Sequence, residues 1–197
     1  MTRKPISAET RSAILAAAWD LIVARGRLDV GQTEIAAAAG VSRQTIFYAF
    51  GNRAGLLQSM VAFQDQRSPN LAALAALGAK RDTSVEALLD MVRGWIVYLP
   101  EVYPVAALLD AAGLTDPEAK AAIESRMVGQ LLAGLTGRLK AMSRAGTLPA
   151  ARDPVRTAEE IWELVHLPSW RLLVLDRGWS PEEYLSSRLA LVRSLVS

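Results

Sequence analysis

Helix start and stop signals recur along this chain at helix-length intervals and leave little room for any other kind of element. Asp116-Pro117 and Asp153-Pro154 each set a capping carboxylate before a proline at the first helical position, where the missing N–H is not needed. Ser180-Pro181-Glu182-Glu183 combines that proline with a capping-box glutamate, and Thr83-Ser84-Val85-Glu86 has the box pattern alone. Gly78, Gly113, Gly146 and Gly178 stand where the preceding helices should stop. Near the start, Ser7 is placed to cap a first helix with Glu9 in its first turn and Gly26 at its end. Ile14, Ala18, Leu21 and Ile22 share one face of it. No stretch alternates with period two and strand chemistry. The expected class is all-α, with further helices over about 32–39, 43–50, 53–66, 70–78, 84–98, 104–112, 117–144, 154–176 and 181–195. Pro168 removes a backbone donor inside 154–176 and should kink or split that helix.

The shortest segments lie together. Gly31 to Leu57 reads as helix, tight turn, helix, and the start of another helix. Ile35, Ala36 and Ala39 share a face of the first; Gly40 breaks the period; Val41 is apolar, and Ser42 can cap the next helix with its hydroxyl. Ile46 and Phe50, four apart, make the core face of that helix, leaving Arg43, Gln44, Phe47 and Tyr48 on the other. A short helix set by a glycine turn, with a polar and aromatic outer face, is how a helix-turn-helix unit presents side chains to a DNA major groove. Arg43 can bond a guanine edge bidentately and Gln44 an adenine edge, each worth about 1–3 kcal/mol of discrimination. Gly51 and Asn52 make the next break, with Asn52 capping a helix that begins at Arg53. Residues 1–5 read as an arm whose Arg3 and Lys4 either reach a phosphate or minor groove or form a solvated basic tail.

Charge and composition agree with such a head. Residues 1–60 carry a net +3 and the remainder −1. A weakly basic N-terminal third on a near-neutral body suits a DNA contact. The 197 residues suffice for one sizeable core, or for a small domain and a larger one; 51% are hydrophobic and the mean hydropathy is +0.19, so some apolar surface is expected between subunits. Arg25, Asp65, Arg93 and Arg126 interrupt every apolar run before the roughly 18–20 residues of a membrane span. There is no cysteine, which fits a reducing cytoplasm. Catalysis has little support, because His166 is the single histidine and no nucleophile pattern flanks it. No metal or cofactor is expected, since carboxylates would have to gather around that one histidine without ligand spacing.

The run Ile35-Ala36-x-x-Ala39-Gly40-Val41-Ser42-x-x-Thr45-Ile46-Phe47-x-x-Phe50-x-Asn52-Arg53-x-x-Leu56 resembles the N-terminal signature of TetR-family transcriptional regulators. The resemblance covers about a quarter of the chain, and the all-α remainder is similar to that family too, down to the Arg144-Ala145-Gly146 turn before Asp153-Pro154. It implies a DNA-binding domain over 1–52 and a ligand-binding and dimerisation domain over 53–197. It further implies a homodimer on a palindromic DNA operator, acting as a repressor that a small molecule releases. By family position Thr33, Arg43, Gln44 and Phe47 would approach base edges, and Gln32, Ser42, Thr45, Tyr48 and Arg53 would approach phosphates. Three positions depart from the pattern. Phe47 replaces the usual tyrosine, with the Tyr48 hydroxyl next to it. Arg53 replaces a lysine and keeps the charge. Gly31 stands where a Ser or Thr usually caps the first helix of the motif.

In the body, Met91, Trp95, Tyr98, Tyr103, Met127, Trp162, His166 and Trp170 are the candidates for a pocket between helices, each with ordinary core packing as its alternative. Their apolar bias suggests an apolar or aromatic effector. The closing helices, about 153–196, are apolar on more than one side, which fits either a subunit interface or closure of the monomer's own core. A helical small-molecule sensor or protein-interaction module without operator binding is the alternative for the whole chain.

Overall fold

The computed structural model describes residues 6–197; the basic arm with Arg3 and Lys4 lies outside the described residues. Helices are the only regular elements among these residues, joined by short turns and loops, and no strand occurs among them. The helices are α1 (Ala8–Arg25), α2 (Gln32–Ala38), α3 (Arg43–Phe50), α4 (Arg53–Arg67), α5 (Pro69–Ala79), α6 (Val85–Ala112) and α7 (Pro117–Arg126). A π-helical turn, Met127–Leu132, carries α7 into α8 (Ala133–Ala145). Then come α9 (Pro154–Leu164), α10 (Leu167–Trp170) with a π-helical continuation, Arg171–Leu175, and α11 (Pro181–Val196).

The capping devices act where the sequence puts them. Ser7, Asp116, Asp153 and Ser180 each accept N–H groups of the helix that follows, and Glu183 closes its box onto the Ser180 N–H at 2.7 Å. Gly26, Gly146 and Gly178 take the left-handed conformation. Three expectations change. Gly78 stops nothing, since α5 runs on to Ala79. At the start of α6 the Ser84 hydroxyl accepts the Ala87 N–H, while the Glu86 carboxylate pairs with Arg193 at 3.1 Å. Helices expected over 84–98 and 104–112 are one helix, which runs straight through Pro100 and Pro104. Both prolines are exposed, while Tyr98, Leu99, Val102, Val105 and Leu109 on the other faces are buried. An 18-residue window of this fused helix reaches a mean hydropathy of 1.2, so α6 is long and apolar enough to cross a membrane by length and composition; 44% of that window is buried in the fold. Pro168 splits rather than kinks its helix: α9 ends at Leu164 and α10 restarts with the proline in its first turn.

The chain forms two compact units. The first comprises the residues up to Arg67 and Val102–Ile123. In it α1 packs on α2 and α4, and α3 packs on α2 and α4, around Ile14, Trp19, Ile22, Ile35, Ile46, Phe50, Leu57 and Met60. The second comprises Ser68–Glu101 and Glu124–Ser197. Its core holds Leu88, Trp95, Leu99, Leu135, Leu139, Ile161, Trp170, Tyr184 and Val192. Gly94 lets α5 lie close on α6, since a Cβ there would come within 3.2 Å of the Leu74 side chain.

Candidate nucleic-acid interface and body cavity

The α2–α3 unit is held without the usual side-chain cap at its entrance. Gly31 sits in the cap position with extended backbone (φ −72°, ψ 144°), and its N–H donates to Glu34 Oε2 at 3.1 Å. Arg25 grips the same carboxylate through two N–H groups, at 3.1 and 2.5 Å. Arg25 first, and the Gly31 N–H second, hold the Glu34 carboxyl below the usual carboxylate range. The turn then needs Gly40 at φ +65°, a conformation costly for any residue with a Cβ. Ser42 Oγ accepts the Thr45 N–H at 3.1 Å and shares a 2.9 Å hydrogen bond with the Thr45 hydroxyl. From below, Arg11 donates to the carbonyl of Ala49 and lies over the Phe50 ring at 4.4 Å.

With Ile46 and Phe50 in the core, α3 turns Arg43, Gln44, Phe47 and Tyr48 outward; Phe47 is 58% exposed and Tyr48 51%. Gln44 Nε2 donates to Tyr48 Oη at 3.0 Å, and the Phe47 and Tyr48 rings meet edge to face at 6.2 Å. Arg43 is exposed and makes no ion pair among the described residues. Thr33 is exposed and Gln32 half-buried at the start of α2, and Thr45 is half-buried beside the exposed Ser42. Eight of the nine expected residues thus lie on α2, on α3 and at the Ser42 cap between them.

The ninth, Arg53, opens α4 and is engaged already. Its Nη1 lies 2.5 Å from Asp116 Oδ2 and 3.6 Å from Glu118 Oε2. Asp116 is the cap of α7; its other oxygen accepts the Glu118 and Ala119 N–H groups at 2.9 and 3.2 Å. The Arg53 hydrogen bond, followed by the Ala119 N–H, holds this carboxyl below its usual range. The α3–α4 junction that places Arg53 leaves no space. Gly51 has φ +74°, Asn52 Oδ1 accepts the Gly55 N–H at 2.9 Å, and a Cβ on Gly55 would fall 2.1 Å from the Phe50 carbonyl oxygen.

The second unit contains a cavity of about 260 Å³ walled by α5, α6, the π-helical turn and α8. Of the eight pocket candidates, Met91 and Trp95 line it. Tyr98 is fully buried behind, its ring 5.9 Å from that of Trp95. Tyr103 belongs to the other unit. Met127, Trp162, His166 and Trp170 lie off the wall: Trp162 donates to the Met127 carbonyl at 2.8 Å and meets the His166 ring at 4.5 Å, and Trp170 packs edge-on against Tyr184. The wall is completed by residues that pattern reading passed over, among them Leu71, Leu74, Arg126, Gln130, Gly134 and Val165.

Residues 14–60 match the family model described as bacterial regulatory proteins, tetR family. No curated protein matches the sequence. Among solved structures, the fold is similar to a protein from Rhodococcus sp. described as a TetR-family transcriptional regulator, with TM-score 0.76 and 24% identity over 97% of this chain and 100% of that one. It is similar to a transcriptional regulator from Saccharomonospora viridis in complex with choline, with TM-score 0.75 and 19% identity over 96% and 98%. It is also similar to NalD of Pseudomonas aeruginosa, the secondary repressor of the MexAB-OprM multidrug efflux pump, with TM-score 0.72 and 20% identity over 97% and 98%. At these identities the structural likenesses speak for the fold, which extends across both units. Residues 14–60 thus carry the DNA-binding helix-turn-helix of the TetR family of transcriptional regulators, a family of non-enzymatic proteins, and the chain shares its fold with proteins of that description.

Proposed function

We propose that this protein is a repressor that binds a palindromic operator as a homodimer and leaves it when a small, largely apolar effector fills the cavity of the second unit. The observation that carries this reading is the outer face of α3. Arg43, Gln44, Phe47 and Tyr48 stand exposed on a short helix whose caps, turn and core are all specified. Arg43 and Gln44 read base edges, with Thr33 and Phe47 beside them. Gln32, Ser42, Thr45, Tyr48 and Arg53 set register on phosphates. The head is residues 1–52, and 53–197 take the effector and the second subunit. The closing helices supply the interface: Leu172, Leu175 and Leu191 remain 47%, 57% and 41% exposed on them, while Ile161 and Val192 fill the monomer's core. Ligand and operator then act antagonistically, each weakening the other by the same factor through the spacing of the two heads. NalD is a repressor and the Saccharomonospora viridis protein holds a small molecule, so both halves of this behaviour have examples on the same fold. The cytoplasm is the place of action.

The test is selection of binding sites from random duplex DNA with this 197-residue chain at two salt concentrations. A palindrome should be enriched, with affinity falling steeply as salt rises. No enrichment at low salt from folded dimer would refute operator binding and favour the protein-interaction alternative.

A further inference from the structure

A second space adjoins the effector cavity, and its chemistry is different. It is a groove of about 550 Å³ in the second unit, between α8 and the loop that joins α5 to α6. Its charged lining residues are all cations: Lys80 and Arg81 on the loop, Arg138 and Arg144 on α8. The floor between them is made of the small residues Ala133, Gly134, Gly137 and Ala141, so a ligand can lie close against the helix. Arg138 is 7% exposed and builds the groove. It donates to the carbonyls of Leu77 and Asp82 and, through Nε, to Met91 Sδ at 3.2 Å. It thereby ties the loop to α8 and holds Lys80 and Arg81 beside the floor. Lys80, Arg81 and Arg144 are exposed and make no ion pair among the described residues.

Helix ends are an ordinary use for such cations, but the charge here exceeds that need. The carboxyl ends of α5 and α8 bring about half a negative charge each. The loop's own carboxylate, Asp82, adds one; the Ser84 N–H and hydroxyl first, and Arg138 and Lys80 more weakly, hold it below the usual carboxylate range. Four cations against about two negative charges leave the groove at about +2. A phosphate monoester carries about −1.5 to −2 near neutral pH, whereas a carboxylate would answer half of that charge. The groove and the cavity share Met91 and Gly134 on their walls. Gly134 puts no side chain between them, and open space surrounds its would-be Cβ. One ligand can therefore occupy both.

We propose that the effector is an amphipathic phosphate monoester, its head in the groove of Lys80, Arg81 and Arg144 and its apolar body in the cavity beside Trp95. This rests on the effector-cavity reading above and adds a head group and the place that receives it. Guanidinium and ammonium groups recognise phosphate by charge-assisted hydrogen bonds, and the Arg138 tie fixes two of the three cations in advance. The cavity of about 260 Å³ admits about nine water-sized groups at roughly 30 Å³ each, so an eight-carbon chain is a suitable body for a probe.

Octyl phosphate, octanol and inorganic phosphate are titrated into the 197-residue chain by calorimetry and tryptophan fluorescence. Octyl phosphate should bind at least tenfold more tightly than either of the others, and its affinity alone among the two octyl compounds should fall as salt rises. Replacing Arg81 and Arg144 together by Gln should bring octyl phosphate down to the level of octanol and leave octanol unchanged; both side chains are exposed, so the fold survives. Octanol binding the wild-type chain as tightly as octyl phosphate would refute the phosphate head while leaving the cavity as the effector site. Inorganic phosphate binding as tightly as octyl phosphate would refute a single ligand shared by groove and cavity. Octyl phosphate binding undiminished in the double variant would place the head elsewhere and overturn the proposal. Binding of none of the three would overturn both readings.

Discussion

Replacing Gly55 by alanine sets two known effects against each other with opposite signs. Gly55 lies in the first turns of α4, and alanine in a helix is favoured over glycine by about 1 kcal/mol. Propensity alone therefore predicts a gain in stability. The junction predicts a loss. A Cβ on Gly55 would stand 2.1 Å from the Phe50 carbonyl oxygen and 3.3 Å from its carbon. Backbone must move by roughly 0.9 Å even to open that contact to 3.0 Å. The obstacle is a main-chain atom at the end of α3, between Gly51 and the buried Phe50 ring, so no rotamer change relieves it. Overpacking of this kind costs about 1–3 kcal/mol, and an immovable partner places it at the upper end. The net expectation is a loss of about 1–2 kcal/mol, or a Tm about 2–8 °C lower for a chain of this size. Gly137→Ala is the control, since it lies on the exposed face of α8 with no atom within 4 Å of its would-be Cβ; it should gain about 0.5–1 kcal/mol. Thermal unfolding by circular dichroism reads both. If Gly55→Ala melts at or above the wild-type temperature, the close approach does not constrain the α3–α4 junction and the reasoning fails.

The Arg53–Asp116 pair makes a prediction about DNA. Asp116→Asn keeps an oxygen to cap α7 and removes the charge that holds Arg53; DNA affinity at low salt should rise by up to about fivefold, and weaker binding in a fluorescence titration would mean that Asp116 positions Arg53 rather than competing for it. The same pair has a pH signature. Because the folded Asp116 carboxyl is held below its unfolded value, its stabilisation is complete above the ordinary aspartate range and is lost as the pH falls through the lowered folded value. Asp116→Asn should therefore flatten the acid limb of a stability–pH curve, and an unchanged limb would remove the pair from the balance. Leu191→Glu should convert dimer to monomer in sedimentation at micromolar concentration without unfolding the chain; a surviving dimer would move the interface elsewhere. Arg138 is 7% exposed and donates to the carbonyls of Leu77 and Asp82, so Arg138→Ala should cost about 2–4 kcal/mol in urea unfolding, and a cost below 1 kcal/mol would show that those carbonyls find water instead.

Local chemistry alone determined a good deal here. Every cap written as Ser or Asp before a helix accepts its N–H groups, because a capping bond spans two or three residues and needs nothing from the rest of the fold. The division of α3 into a core face and an outer face was legible for the same reason, since Ile46 and Phe50 lie one helical turn apart and both are buried. Where a distant partner decides, pattern reading stopped short. Pro100 and Pro104 argue locally for a break, and only the burial of Tyr98, Leu99, Val102 and Val105 around them outweighs the lost donors and carries α6 through. Gly31 has no side chain to accept the first N–H groups of α2, and Glu34 ties the Gly31 N–H to that turn instead while Arg25, nine residues earlier, holds its carboxylate. Arg53 meets Asp116 sixty-three residues away, and no periodicity announces that. The cavity is the extreme case. Aromatic residues were the natural candidates, yet most of them fill core or pair with each other, while its one charged lining residue is Arg126 and much of its wall is Leu71, Leu74 and Ala75 of α5 with Gly134 and Leu135 of α8. Which faces of several helices enclose a space depends on how they pack, and that arrangement exists only in the tertiary structure.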